Sequence, residues 1–589
     1  MLFLDILGVD IINILYHSVL PSITEAMLQL GIPEGEGENL LGKATVSDHG
    51  DLAIACHSLS RTLKKSPAEI ADKLSSILAP LLDEIANISA VNGFVNLRAK
   101  DSWMEEKCRE ICNDKRLGIS LSSSPRKVAI DYSSPNVAKE MHVGHLRSTV
   151  IGDSLTRILE FLGNTVIREN HIGDWGTPFG MLIEHLLDIG EDNSQNELSV
   201  GDLDAFYKTA RNKFDSDTSF ADRSRARVVL LQGGDEETIR LWQVLVDEST
   251  RYFNEVYQLL GVLLVDDDIM GESAYHHLLP EVVFRLNEQG LLKTSDGADV
   301  VFPGGHLNRD GEPLPLIVRK GDGGYNYATT DLACIIDRVE RLKVDDLLYV
   351  VGTPQSRHFE MVFSVAYQAG LLNESNSTVH VNFGSVLGKD GKVLKSRSGS
   401  AVKLVDLLKE SVSRANDVIG DKNPNLTGIE RENIAKAIGI GAVKYADLST
   451  DRTRDYMFDW TRMLSFEGDT APYLQYAHAR IKSIFERVDS NDWKSSPIQI
   501  MNEYESRLTR SIVSFSDAVE SAATDLMPNR ICIHLHEIAS SFGSFYENCP
   551  VLNAEEIPIK NSRLLLCDTT ARILFTGLEL LGIDAPNRM

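Results

Sequence analysis

Cysteine and long hydrophobic runs are scarce in this sequence, and both scarcities exclude classes of protein. The chain has only seven cysteines in 589 residues. An odd and thinly spread set argues against a disulfide framework and indicates a reducing compartment, so we expect a cytoplasmic protein. No run of about 18 uncharged apolar residues occurs, and nothing is expected to span a membrane. The apolar first twenty residues carry Asp5 and Asp10 and lack a basic segment, which predicts a helix rather than a signal peptide.

Basic residues are also in deficit. Lysine and arginine number 59 against 85 aspartates and glutamates, which leaves a formal charge of −26. An acidic chain is not a general nucleic-acid-binding protein, so any such site must be a local basic surface. The hydrophobic content of 43% and charged content of 24% are those of an ordinary globular protein. The length predicts two to four domains.

The first region, residues 1–125, is expected to be a separate α/β module. We expect a helix over Asp51–Leu63, a strand over Ala90–Leu97, and a further helix that contains Trp103 and Met104. The segment Ser120–Arg126 has the composition of a linker.

The central region, residues 126–425, has the pattern of an α/β parallel sheet. Lys127–Tyr132 and Thr165–Arg168 are short apolar runs, and the segment between them has apolar residues at helical spacing. This order predicts a βαβ unit of Rossmann type, whose ligands bind at the carboxyl ends of the strands. Residues 180–300 are predicted to be a mostly helical insertion. Further strands that extend the sheet are expected at Leu316–Arg319, Leu347–Val351 and Val379–Phe383. Residues 426–589 predict an α-helical domain.

The first chemical pattern is the sequence HVGH, which includes His142, Gly144 and His145. It follows a predicted strand and opens a helix, so both imidazoles share one face of the first turn. Helix N-termini stabilise anions, and a glycine between the histidines allows a flat group to approach the backbone. The pattern therefore predicts a nucleotide with its phosphates beside the histidines, although so short a motif can also be structural.

A resemblance to a known family rests on that motif and several others. The segment DYSSPNVAKEMHVGHLRST (131–149) resembles the nucleotide-binding signature of class I aminoacyl-tRNA synthetases, and of the arginyl enzymes in particular. Further segments resemble that family in the same order along essentially the whole chain: HIGDWGTPFGMLIEHL, LQGGDEE, GDGGYNYATTDLA, YLQYAHARI and the C-terminal LLLCDTTARILFTGLELLGI. The resemblance implies an ATP site that includes Gly173 and Asp174 as well as the histidine motif.

A second pattern is the lysine-rich loop VLGKDGKVLKSRSG, residues 386–399. Mobile cations of this kind can close on a phosphoryl group as charge develops in the transition state. A solvated basic turn is the alternative. The family's second signature, usually Lys-Met-Ser-Lys, falls here in altered form, and we favour Lys395 as the catalytic lysine, with Lys392 second.

A third set, Tyr327, Asp331 and Gln355, suits a guanidinium, which needs planar and charge-assisted hydrogen bonds. Tyr327 and Asp331 are four residues apart at a predicted helix start, where Asp331 could instead cap the helix. In the family these positions bind arginine. By the same resemblance Ser134, Pro135, Asn136 and His145 lie along the amino acid, with Asn170 nearby.

The helical region resembles the family's anticodon-binding domain, in which Tyr473, Tyr476 and Arg480 supply stacking surfaces and a cation for RNA. Either tyrosine could equally be part of the bundle core. The resemblance also implies that Phe94 and Asn96 contact the tRNA elbow.

These features together predict an arginine–tRNA ligase. Its substrates would be L-arginine, ATP as a magnesium complex, and tRNA(Arg), and we expect a monomer without a tightly bound metal. Cys532, His534 and His536 alternate in a helical segment, which does not suit a metal site. Two alternatives are a different nucleotidyl-transfer enzyme with the same histidine motif and a catalytically silent tRNA-binding relative.

Overall fold

The computed structural model describes residues 14–33, 38–44, 50–190, 203–308, 310–321, 323–394, 402–423, 426 and 428–589. The first region combines helices with an antiparallel four-stranded sheet of order β1-β2-β4-β3. Its elements in chain order are α1 (Ile14–Gln29), β1 (Leu41–Lys43), β2 (Leu52–Ala55), α2 (Ser60–Leu63), α3 (Pro67–Leu81), β3 (Ala86–Val91), β4 (Phe94–Ala99) and α4 (Asp101–Asn113).

Two predictions for this region are wrong. The helix expected over Asp51–Leu63 is strand β2 followed by the short helix α2, and the strand expected over Ala90–Leu97 is two strands of a hairpin. The hairpin turns at Asn92 and Gly93, whose φ angles are 52° and 80°. An Asn-Gly pair favours this two-residue turn, and the continuous apolar alternation across it concealed the break.

The central sheet has four parallel strands in the order β11-β10-β5-β6. They are β5 (Lys127–Asp131), β6 (Thr165–Glu169), β10 (Asp346–Tyr349) and β11 (Ser377–His380). Every residue of β10 is buried, as expected for a parallel strand covered on both faces. Helix α5 (Val143–Phe161) links β5 to β6, so the βαβ unit is confirmed.

Strand β9 (Leu316–Arg319) does not extend this sheet as predicted. It pairs antiparallel with β8 (Ala298–Val301), which pairs with β7 (Lys293–Ser295) in a separate three-stranded sheet. Burial alternates along β9, and Ile317 stays 37% exposed. A strand with one solvated face suits an antiparallel sheet at the periphery rather than the interior of a parallel one.

Helices α6–α10 occupy most of the insertion and precede β7, while α11–α13 alternate with the later strands. They are α6 (Thr177–Ile189), α7 (Leu203–Ser216), α8 (Thr218–Gln232), α9 (Glu236–Leu260), α10 (Leu279–Glu288), α11 (Tyr327–Ile336), α12 (Ser356–Gln368) and α13 (Leu404–Lys422). A 3₁₀ segment, Glu272–Leu278, precedes α10, and a π turn, Asp337–Arg341, extends α11.

The C-terminal region is helical as predicted. Its helices are α14 (Gly428–Leu448), α15 (Trp460–Met463), α16 (Ala471–Phe485), α17 (Glu503–Val513), α18 (Phe515–Thr524), α19 (Asn529–Asn548) and α20 (Ile557–Leu580). A two-residue strand, β13 (Tyr456–Met457), pairs parallel with β12 (Val386–Leu387) at the base of the lysine-rich loop. Within the described residues, every helix is too short or too polar to traverse a bilayer.

A buried ion pair joins the helical region to α5. The guanidinium of Arg147 lies 3.2 Å from the carboxylate of Asp447 on α14, and both side chains are almost fully buried. Arg147 also donates to the carbonyl oxygen of Arg454 at 2.9 Å. Burying two charges is costly unless each satisfies the other, so this pair fixes one arrangement of α5 and α14. The helix that carries the histidine motif is thus anchored from behind.

Candidate active site

The histidine motif forms the first turn of α5. His142 is the N-cap, and its Nδ1 accepts a hydrogen bond from the backbone N–H of Gly144 at 3.0 Å. In return His145 Nδ1 accepts from the backbone N–H of His142 at 3.1 Å, and the two ring centroids are 4.0 Å apart. The rings therefore play the reciprocal roles of a capping box. The expected proximity of the two imidazoles is present.

Gly144 is required by the approach of the His142 ring. A Cβ atom built at residue 144 would lie 2.8 Å from Cε1 of His142 and 2.9 Å from its Nδ1. These distances are shorter than van der Waals contact, so any larger residue would displace the imidazole. The glycine thus serves the position of the histidine.

Both histidines are neutral in this structure at neutral pH. Desolvation lowers the pKa of His145 to about 3, and the neighbouring His142 lowers it further. Desolvation also lowers the pKa of His142. A neutral imidazole can donate one hydrogen bond to a phosphate but supplies no charge. Positive charge for phosphoryl transfer must therefore come from other residues.

The loop between β5 and α5 has two residues in the left-handed region. The φ angles of Ser133 and Ser134 are 71° and 48°, which is unfavourable for side chains other than glycine. Hydrogen bonds hold this conformation: Ser134 Oγ donates to Asp131 Oδ1 at 2.9 Å, and the Ser134 N–H donates to Asn170 Oδ1 at 3.1 Å. Ser134 and Asn170, both predicted to contact arginine, are therefore neighbours.

The following residues of the loop lie beside the turn after β6. Gly173 donates through its N–H to the carbonyl of Pro135, and Val137 donates to the carbonyl of Gly173, each at 3.0 Å. A Cβ at residue 173 would lie 2.5 Å from Oδ1 of Asn136, so only glycine allows this contact. Pro135, Asn136 and Gly173 thus lie together at the carboxyl edge of the sheet, where α/β proteins bind ligands.

Asp174 does not present its carboxylate to a nucleotide. Its oxygens accept from the backbone N–H and the hydroxyl of Ser273, at 2.9 and 2.6 Å, and the residue is only 4% exposed. Burial raises the pKa of Asp174. The predicted direct contact with ATP does not fit these contacts, and the side chain instead fixes the segment Glu272–Leu278 beside the cleft.

The predicted arginine-binding residues lie around α11 and α12. The side chain of Asn326 caps α11, since it accepts from the N–H of Tyr327 at 3.0 Å. Asp331 is therefore not the helix cap, and its side chain is 18% exposed. Tyr327 is 72% exposed on the same helix. Gln355 is exposed at the N-terminus of α12, at the end of a 3₁₀ turn.

A cleft of about 640 Å³ lies beside the β5–α5 loop and the start of α11. It opens between the loops after β5 and β6, the insertion and the start of α11. Its lining includes Asn136, Lys139, Gly173, Trp175, Tyr207, Glu272, His276, Tyr325, Tyr327 and Thr330.

Two residues of this cleft were missed from the sequence. Burial raises the pKa of Glu272 to about 7, and the carboxylates of Asp174 and Asp331 raise it further. Lys139 also lines the cleft, and its Nζ lies 4.4 Å from the centre of the Tyr207 ring. The charge of Lys139 lowers the pKa of both histidines. Lys139 is part of the motif NVAKEMHVGH, so its distance of three residues from His142 was an available signal. Glu272 lies in no motif that could have identified it from the sequence.

The lysine-rich loop is described only in part. Lys395, the favoured catalytic lysine, lies outside the described residues. Lys392 is exposed, and Lys389 forms an ion pair with Asp459 at 3.1 Å. The pairing of β12 with β13 fixes the start of the loop.

The predicted RNA-binding residues differ in exposure. Asn96 is 4% exposed on a central strand of its sheet, and its contact with the tRNA elbow stays a prediction. Phe94, on the same strand, is 39% exposed and packs against His57. Tyr473 is partly buried against His536, as in the alternative that assigns it to the bundle core. Tyr476 is 45% exposed.

Tyr476, the more exposed of the two tyrosines on α16, borders a second cavity. This cavity measures about 660 Å³ and is lined by Tyr476, Phe466, Lys422 and Met589, among others. Lys422 lies 4.5 Å from the centre of the Phe466 ring. Arg480, one turn after Tyr476, lies over the Tyr546 ring at 4.4 Å.

Comparisons with known proteins find domains of tRNA synthetases in successive parts of the chain. Residues 85–460 match the family model for the class I (R) tRNA synthetase catalytic domain. Residues 474–589 match the DALR anticodon binding domain, and residues 18–99 match the arginyl tRNA synthetase N terminal domain.

Individual relatives show the same likeness. An arginine–tRNA ligase of Thermobifida fusca is 49% identical over 90% of this chain and 92% of its own length. One from Edwardsiella ictaluri is 44% identical over 96% and 98%. Among solved structures, an arginyl-tRNA synthetase of Plasmodium falciparum has a TM-score of 0.82 and 27% identity, covering 98% of each chain.

Proposed function

The chain belongs to the class I arginyl-tRNA synthetases, which ligate arginine to tRNA, and we propose how its residues perform that reaction. The amino acid's carboxylate attacks the α-phosphorus of ATP in line, and pyrophosphate departs with the electrons of the broken P–O bond. The terminal ribose hydroxyl of the tRNA then attacks the carbonyl carbon of the adenylate, and AMP departs. Neither step needs a protein nucleophile, so catalysis is positioning and electrostatic stabilisation.

One observation carries the assignment of substrates to the cleft. Glu272 and Lys139 line the same cleft, where Glu272 is close enough to Asp331 to feel its charge and Lys139 is close enough to act on both histidines of the hydrogen-bonded pair. Carboxylates bind a guanidinium through short, charge-assisted hydrogen bonds. We place the side chain of arginine between Asp331 and Glu272, with Tyr327 and Gln355 beside it. The α-amino and carboxylate groups then lie toward Ser134, Asn136 and Asn170.

The nucleotide lies at the opposite end. His142 and His145 donate hydrogen bonds to its phosphates, and Gly144 and Gly173 allow the close approach of the His142 ring and the Asn136 side chain beside it. Lys139, Lys392 and Lys395 are the candidates for the positive charge that neutral histidines cannot provide. Mg²⁺ enters as part of the ATP complex, bound by the phosphate oxygens.

Specificity for arginine over lysine follows from the paired carboxylates. A lysine ammonium lacks the planar fork of the guanidinium and would leave acceptors of the site unpaired. Sites built on buried polar contacts reject such analogues by factors of about 10⁴–10⁵.

We assign tRNA binding to the surface around Tyr476. An unstacked base can stack on exposed aromatic rings, and Lys422 and Arg480 supply positive charge for the backbone of the RNA. This satisfies the requirement for a local basic surface on an acidic protein. Phe94 is retained as a second candidate contact, in the N-terminal region.

We propose that the protein acts as a monomer in the cytoplasm. All seven cysteines are free thiols, in keeping with a reducing compartment.

Arginine-dependent exchange of pyrophosphate into ATP tests the proposal. Exchange should require L-arginine, and L-lysine should not replace it, in assays with and without tRNA. Exchange with another amino acid but not with arginine would contradict the assignment of the cleft. Absence of exchange under all conditions would favour the catalytically silent relative.

A further inference from the structure

His358, on α12, is the partner of the carboxylate proposed to bind the guanidinium. Its Nε2 lies 2.5 Å from Oδ2 of Asp331, and the two side chains are 27% and 18% exposed. The distance is that of a strong, charge-assisted hydrogen bond. The first turn of α12 therefore controls the orientation of a side chain on α11.

The contact between His358 and Oδ2 of Asp331 leaves Oδ1 of that carboxylate available for a ligand. In the described part of the chain, His358 is the one side chain found within hydrogen-bonding distance of Asp331. Since Nε2 occupies Oδ2, the carboxylate is fixed in rotation and Oδ1 remains for a ligand. A carboxylate that is already oriented loses less entropy when it binds a guanidinium.

We propose that His358 is a positioning residue for the substrate and, when protonated, a competitor of its guanidinium. The neutral imidazole donates from Nε2 and leaves Asp331 its full negative charge. The imidazolium neutralises that charge and brings a second cation to the place the guanidinium must occupy. Arginine binding and protonation of His358 are then antagonistic, and by linkage each weakens the other equally. This inference rests on the proposed role of Asp331.

Charged and titratable groups surround the pair from several elements. Glu272 faces Asp331 from the 3₁₀ segment, and Tyr349 and Cys334 face it from β10 and α11. His380 acts on His358 from β11, and Glu360 of α12 and Arg452 act in turn on His380. Burial lowers the pKa of His380, so this neighbour is neutral near pH 7.

Hydrogen–deuterium exchange at the imidazole C2 carbon, followed by mass spectrometry, measures the pKa of individual histidines in the whole enzyme. Saturating L-arginine should lower the pKa of His358 by about one unit or more, the equivalent of a tenfold change in affinity. L-lysine at the same concentration should have little effect. His57, in the N-terminal region, is the internal control and should not shift.

Two variants separate positioning from a purely structural role. His358→Gln retains an N–H donor without a titrating charge, and His358→Phe removes both. We expect His358→Gln to bind arginine at pH 6 several-fold more tightly than the wild type, and equally at pH 8.5. His358→Phe should bind more weakly than the wild type at pH 8.5, because Asp331 loses its orientation.

Two results would overturn the inference. One is an unchanged pKa of His358 with arginine demonstrably bound, and the other is identical arginine affinity of the two variants at both pH values. Failure of the proposed function looks different: Asp331→Asn would then leave arginine binding intact. A normal wild-type shift that disappears in Asp331→Asn supports both proposals together.

Discussion

At the scale of single residues, charge decides the roles in the cleft. The histidines are neutral because desolvation lowers their pKa, while burial keeps Glu272 close to half protonated near pH 7. Asp331 is the carboxylate with a fixed hydrogen-bond partner. These environments support the proposal that the guanidinium and the phosphates bind at different ends of the cleft.

Replacing Asp331 with Asn should selectively weaken arginine binding. Loss of one partner of a desolvated charge pair costs about 2–5 kcal/mol, so the KM for arginine should rise about 30-fold or more. The KM for ATP should stay within about twofold, because the nucleotide lies at the other end. Pyrophosphate exchange with each substrate varied in turn measures both. A selective loss of ATP binding would show that the pocket is misassigned.

Arginine binding should release protons at pH 6. The pKa of Glu272 is raised to about 7, so the carboxyl is mostly protonated at pH 6 and must ionise to bind a guanidinium. Titration calorimetry in two buffers of different ionisation enthalpy counts the released protons. Glu272→Gln should release up to about one proton fewer. Equal release by both proteins would exclude Glu272 from the site.

At the scale of elements, the first turn of α5 combines a helix cap with the histidine motif. The sequence predicted the helix, its strand neighbours and the shared face of the histidines. It did not predict that each ring caps a backbone N–H, since a histidine is not among the usual capping residues. Capping by Asn326 rather than Asp331 was likewise undecidable, because Thr329, Thr330 and Asp331 are also capping types.

Gly144→Ala should separate activity from stability. The added Cβ would meet the His142 ring at 2.8 Å and displace it, whereas alanine is the better helix former. We expect adenylate formation to fall by about 10², the cost of misplacing a group by about 1 Å. The thermal midpoint should change little, because the lost cap of His142 and the better helix propensity of alanine have opposite effects. Gly543→Ala, in α19 with open space around it, is the matched control and should retain activity.

Other elements show where sequence patterns fail. Strand β9 has the apolar run of a sheet strand, but it pairs with β8, which forms a hairpin with β7 that turns at Asp296 and Gly297, both with positive φ. The same applies to the hairpin at Asn92. Glu272 reaches the cleft, and His358 reaches Asp331, only through tertiary packing of the insertion and α12, so no local pattern could identify them.

At the scale of the whole molecule, the predicted fold class is confirmed: a parallel sheet, an N-terminal addition and a C-terminal helical domain. What the sequence could not provide is their mutual arrangement. Arg147 follows the histidine motif closely, yet its partner Asp447 is distant in the sequence. Such a contact has no signal in a single sequence.

Removing that contact should destabilise the protein. Asp447→Asn leaves the guanidinium of Arg147 buried without a counter-charge, which costs about 3–5 kcal/mol. Urea denaturation should show this loss of unfolding free energy. Asp222→Asn removes an exposed ion pair with Arg225 and should cause little change. Similar small effects for both variants would contradict the anchoring role of the buried pair.

Binding of tRNA should depend on the aromatic surface of the helical region. Tyr476→Ala removes a stacking surface worth about 1–3 kcal/mol, so the KM for tRNA should rise about tenfold. Tyr367→Ala is a control with a similarly exposed ring, at 43%, on the catalytic region. Aminoacylation at varied tRNA concentration gives the KM for tRNA of each variant. An equal effect of the two substitutions would place the RNA elsewhere.

The most direct test of the account is a crystal structure with a non-hydrolysable arginyl-adenylate analogue. The account predicts the guanidinium within about 3 Å of the carboxylates of Asp331 and Glu272, and the phosphate beside His142 and His145. A guanidinium that points to solvent, or an analogue bound in the reverse orientation, would contradict it.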